Sequence, residues 1–260
     1  MICYKRQSSC HVNRGFAILV CKCCRLRDKL LEKTLSQSVA ITGPPGASSE
    51  GSEFANIVTH GVGVLLSLIA MAFFWFLSRE QNLGLRFCCV AFTISMALVY
   101  LFSTLSHAVR EPQARNRMRA WDQGTIYLLI AGTYSPFIWL GSPAGFRTGL
   151  LVAVWAAAAI GFYSKVLTSY RINSISTVTY VMLGWLPALP LLGRTPWVCF
   201  AGMLLGGICY TSGIFFLMRS HHHKYYHAIW HVLVMLGSAT HSATIYWLLQ
   251  TSTQALYQSS

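Results

Sequence analysis

Seven apolar runs, separated by short polar interruptions, fill the chain from Glu53 onward, at about 56–77, 85–109, 122–141, 146–164, 174–193, 197–218 and 227–250. Most contain 18 or more apolar or small residues and few charges. A helix needs roughly 20 mostly apolar residues to cross the hydrocarbon core. A crossing segment must also satisfy its backbone internally, which favours helices over isolated strands. The pattern predicts an all-α integral membrane bundle of seven transmembrane helices over residues 53–250. Pro136, Pro187 and Pro190 lie inside or at the ends of runs, where they predict kinks. Gly202 and Gly206 form a small-xxx-small pair suited to close helix packing.

The flanks read differently. Residues 1–52 hold CKCCRLRDKLLEK and then TGPPGASSEGS, whose Gly, Pro and Ser density marks a linker, so this part is expected to be a disordered basic tail. Residues 251–260 read as a short polar tail. Cys21 and Cys24 form one CxxC with no second pair, too little for a zinc site. The apolar stretch FAILV is shorter than a signal-peptide core, and no cleavage is expected. The 9 cysteines outline no disulfide framework.

Composition strengthens the membrane reading. Of 260 residues, 54% are hydrophobic and 10% charged, whereas soluble domains carry about 25% charged residues. A net charge of +13 would suit a nucleic-acid partner, but 8 of the 20 Lys and Arg residues fall within the first 33 positions and most others punctuate apolar runs. With seven crossings, 16 positive residues share the side of the N-terminal tail and 4 lie opposite. Positive residues stay inside. The N-terminus is therefore expected in the cytoplasm and the C-terminus outside, in a multi-pass protein of the plasma membrane. Membrane lipid is the expected environment, and nucleic acid is not an expected partner.

That orientation gives the ionisable residues a common depth. Ser103 and His107 close the second run in STLSH, Asp122 opens the third in WDQG, and His227 and His231 open the seventh in HAIWH. All five are expected near the cytoplasmic face. Histidines four apart share a helix face, about 6 Å apart along the axis. His227 and His231 can hold one ion, and His107 can supply a third imidazole. Three histidines with one open position make a zinc site of the catalytic type. Asp122 then reads as a base or as a hydrogen-bond partner of a ligand, and Ser103 as a donor to developing negative charge. Plainer roles exist for each: an interfacial histidine pair, a serine bonded to its own backbone, an aspartate at a helix N-terminus. Ionisable groups within a membrane are nevertheless costly and functional by default. His60 reads as a supporting group or a core histidine, and His221 to His223 as solvated. His241 lies roughly 15 Å deeper than His231, too far for the same ion and suited to an interhelical hydrogen bond.

The stretches NIVTHGVG, STLSH, WDQGTIYLLIAGTYSPF and HAIWHVLV, in this order, resemble the hemolysin III / progestin and adipoQ receptor family over about residues 53–250. The resemblance implies seven helices with a cytoplasmic N-terminus. It also implies zinc held by His107, His227 and His231, with Ser103 and Asp122 matching the family's serine and aspartate. The adiponectin-receptor branch is associated with ceramide hydrolysis, the bacterial branch with a cytolytic effect, and others with steroid reception. The reading is a zinc-dependent hydrolase acting on an amide or ester in a lipid. The alternative is a channel-forming hemolysin-type protein, or a receptor in which zinc is structural.

Overall fold

The computed structural model describes residues 50–167 and 173–259, with side chains at 50–167 and 177–252. The N-terminal tail with its CxxC lies outside the described residues. Among the described residues, seven α-helices follow one another: α1 (Glu50–Leu77), α2 (Leu83–Ala108), α3 (Pro112–Gly141), α4 (Ala144–Val166), α5 (Asn173–Trp185), α6 (Trp197–Met218) and α7 (Tyr226–Ser259). Five of them (α1, α2, α4, α6 and the Tyr226–Ser252 part of α7) are long and apolar enough to cross a membrane.

The other two depart from the simple run pattern for local reasons. α3 begins well before its apolar stretch because Glu111 caps it. The Glu111 carboxylate accepts from the backbone N–H groups of Gln113 and Ala114, and Pro112 fills the first turn, where a missing N–H does no harm. α5 stops at Trp185, and a 3-10 segment, Leu186–Leu191, carries the chain on. Pro187 has no N–H to give, and it disfavours helical geometry in the residue before it. The run at 174–193 is thus a short helix and a tighter turn, not one long helix.

Polarity is arranged inside out. Ile69, Ile160 and Trp197 are 65%, 71% and 75% exposed, while Ser67, Thr93 and Ser103 are 0 to 1% exposed. Apolar surface on this scale suits lipid, not water, and the chain is an integral, multi-pass membrane protein. The core runs through Leu85, Phe92, Phe137, Ile138, Ile245 and Leu249. Chain neighbours α1–α2, α2–α3, α3–α4 and α6–α7 pack together, and α7 also lies against α1. Small residues permit the closest approaches. A Cβ on Gly132 would stand 2.2 Å from Ser95 Oγ, and Cβ atoms on Gly202 and Gly206 would stand 2.1 and 2.4 Å from Thr244 and His241.

Candidate metal centre

α1, α3 and α7 begin, and α2 ends, at one end of the bundle. There His107 from the last turn of α2 meets His227 and His231 from the first turns of α7. One ring nitrogen from each of the three lies within 4.8 Å of the others. His107 Nε2 is 3.2 Å from His227 Nε2, and the ring centroids of His227 and His231 are 4.6 Å apart. His231 is buried and the other two are half-buried.

Hydrogen bonds decide which nitrogens face inward. A carboxylate can only accept, so the 2.6 Å contact between His107 Nδ1 and Glu53 Oε2 puts the proton on Nδ1. Nε2 of His107 keeps its lone pair. The Thr59 hydroxyl spends its hydrogen on the Ala55 and Asn56 carbonyls, at 2.9 and 3.0 Å. Its oxygen therefore accepts from His231 Nδ1–H at 3.2 Å. His231 then also turns a lone pair inward at Nε2, 3.4 Å from the Ser103 hydroxyl. Two imidazoles held as acceptors beside a third make a cation-seeking arrangement. Nitrogen donors of this kind suit zinc better than magnesium or calcium.

The remaining residues fall into place around this centre. Ser103 turns its hydroxyl to His231, not to its own backbone. Asp122 lies inside α3, well past its N-terminus, which removes the helix-dipole reading; Glu111 fills that place. The Ser106 hydroxyl shares its hydrogen between the Ser103 carbonyl at 2.9 Å and Asp122 Oδ2 at 3.3 Å. His60 is buried and stacks face to face on His231, with centroids 3.7 Å apart and planes 17° apart. Neither of its ring nitrogens has a hydrogen-bond partner among the described residues. His241 reaches across to α6, its Nε2 3.3 Å from the Met203 carbonyl. His221, His222 and His223 are exposed.

Glu53, Thr59 and Arg115 were not singled out from the sequence. A signal was there: Glu53, Asn56 and His60 stand at i, i+3 and i+7, a polar stripe on one face of an otherwise apolar helix.

A largely apolar cavity of about 100 Å³ starts beside the centre, at His60 and Asp122, and runs to Phe137, Met203 and His241. Along α3, the distance from Asp122 to Phe137 is roughly 22 Å. The lining makes the space an elongated, mostly apolar slot.

A membrane-embedded helical bundle with a tri-histidine cluster at one end is the class of protein that these features define. The family model described as "Haemolysin-III related" matches residues 49–242, and the chain belongs to that family. It is 39% identical over 196 residues to the hemolysin-3 homolog of Bacillus subtilis (strain 168), covering 72% of this chain and 89% of that protein. Hemolysin-3 of Bacillus cereus is likewise 39% identical, with 72% and 87% covered. The human monocyte to macrophage differentiation factor is 23% identical over 197 residues, covering 74% and 82%. No solved structure matches the chain significantly.

Proposed function

We propose that this protein is a zinc-dependent hydrolase of an amide or ester bond in a membrane lipid. The carrying observation is the juxtaposition of the tri-histidine cluster with the apolar slot. In this reading all seven helices cross the bilayer, the N-terminus is cytoplasmic, and the centre faces the cytoplasm at the membrane boundary. His107, His227 and His231 hold the ion. When bound, zinc supplies Lewis acidity toward a carbonyl oxygen and makes water acidic enough to ionise near neutral pH.

The chain's own groups do the rest. The slot takes a lipid tail and so sets its carbonyl beside the histidines. The Asp122 carboxylate, steadied by Ser106, accepts a proton from the attacking water. The water oxygen bonds to the carbonyl carbon, and the Ser103 hydroxyl donates to the carbonyl oxygen as charge builds there. The carbon–nitrogen or carbon–oxygen bond then breaks, and Asp122 returns the proton to the leaving group.

The relatives' name, hemolysin, supports a second reading, a membrane-perturbing protein in which the ion only ties α2 to α7. Elemental analysis of detergent-purified protein tests the shared premise. One zinc per chain is expected, lost in a folded His227→Ala plus His231→Ala variant. Release of fatty acid from an amide-linked lipid, abolished by Asp122→Asn with zinc retained, supports the hydrolase. Zinc without turnover of any amide or ester lipid, with dye leakage from liposomes, favours the second reading.

A further inference from the structure

We propose that Glu53 is the positioning residue of the metal centre, holding His107 in the one tautomer and orientation in which it can ligate. The inference rests on the metal reading above and adds a residue to it. The Glu53 carboxylate is bound at both oxygens. Oε2 accepts from His107 Nδ1–H at 2.6 Å, and Oε1 takes a hydrogen bond from the Arg115 guanidinium. Arg115 is anchored in turn, its Nε donating to the Ser106 carbonyl at 3.3 Å.

The clamp therefore joins the first turn of α1, the last turn of α2 and the first turns of α3. Each connection matters for the ligand. Imidazole in water mostly carries its proton at Nε2, the atom that here must keep a lone pair. A carboxylate against Nδ1 reverses that preference and also makes the ring a stronger donor to a cation. Arg115 fixes the carboxylate so that it cannot follow His107 if the ring turns. Glu53 does not line the slot, and its hydrogen bond to the centre runs to His107.

The test uses full-length protein in detergent and two readouts. In metal-free protein labelled with 15N-histidine, the His107 resonances, assigned by their loss in His107→Ala, should report the Nδ1–H tautomer. That signature should vanish in Glu53→Ala and persist in Glu53→Gln, whose amide oxygen still accepts from Nδ1–H. Chelator competition should show zinc bound about tenfold to a hundredfold more weakly by Glu53→Ala, with partial recovery in Glu53→Gln. Bound cobalt(II) should show a changed ligand-field spectrum in Glu53→Ala, which loss of general stability would not produce. Wild-type protein that binds zinc tightly, with Glu53→Ala unchanged in tautomer, affinity and spectrum, would overturn the role of Glu53 and leave the metal reading standing. A folded wild type that binds no zinc would instead bring down the metal reading, and this inference with it.

Discussion

Thr59 shows how little chemistry is needed to commit a histidine. Its single hydroxyl hydrogen is already given to the backbone of its own helix, so toward His231 it can act only as an acceptor. Thr59→Val keeps the shape and removes the oxygen. The His231 ring should then lose its fixed tautomer, and zinc affinity should fall about tenfold or more, read by chelator competition at constant pH. His60 works on the same ring through its face. Tyr100 backs His60, with centroids 5.0 Å apart, and Gly63 leaves room for that tyrosine. A Cβ on Gly63 would stand 2.9 Å from the Tyr100 ring. Gly63→Ala should therefore weaken zinc binding from outside the ligand set, whereas Gly61→Ala, with open space around it, should leave it unchanged.

Between elements, the decisive contacts are those of small residues and helix ends. Gly206 lets α6 meet the His241 ring. Gly206→Ala should cost about 1–3 kcal/mol through overpacking, measured as a lowered denaturation midpoint in detergent. At the start of α3, the N–H groups of Ala114 and then Gln113 hold the exposed Glu111 carboxyl below its usual range. Its folded-state pKa is thus depressed, so its stabilising effect is present above the ordinary carboxylate pKa and is lost as pH falls through the lowered one. Amide exchange in the first turn of α3 should be faster in Glu111→Ala than in wild type at neutral pH, and the difference should shrink in acid. These helix ends also mark what the sequence made legible. The seven runs announced helices because lipid demands long apolar stretches, and the alternation of direction brought His107, His227 and His231 to one depth before any coordinates. Glu111 capping α3 ahead of its apolar run needed backbone geometry to be seen, and so did the 3-10 segment at Leu186–Leu191, where the prolines of the sequence predict only a kink. Glu53 and Thr59 were hidden for another reason. A supporting residue is defined by whose proton it takes, and that depends on a partner 54 or 172 positions away.

For the whole molecule, an ion held in the proposed site would bridge the early and late parts of the bundle, α2 and α7. A ligand that binds only the folded state stabilises it, by about 2.7 kcal/mol at a hundredfold excess over its Kd. The thermal midpoint in detergent should rise with added zinc and fall with a chelator. In His107→Ala it should respond to neither. A zinc-independent midpoint in a wild type that retains the ion would mean that the unfolded chain keeps it as well.

The 120 positions between His107 and His227 have a consequence for biogenesis. A ribosome delivers α2 to the bilayer long before α7, so the nascent chain carries only one of the three histidines through most of its insertion. The centre closes only when the final helix docks beside α1. Chains truncated anywhere before Tyr226 would lack His227 and His231, two of the three imidazoles. In the metal reading, capture of the ion would thus report that α7 has arrived.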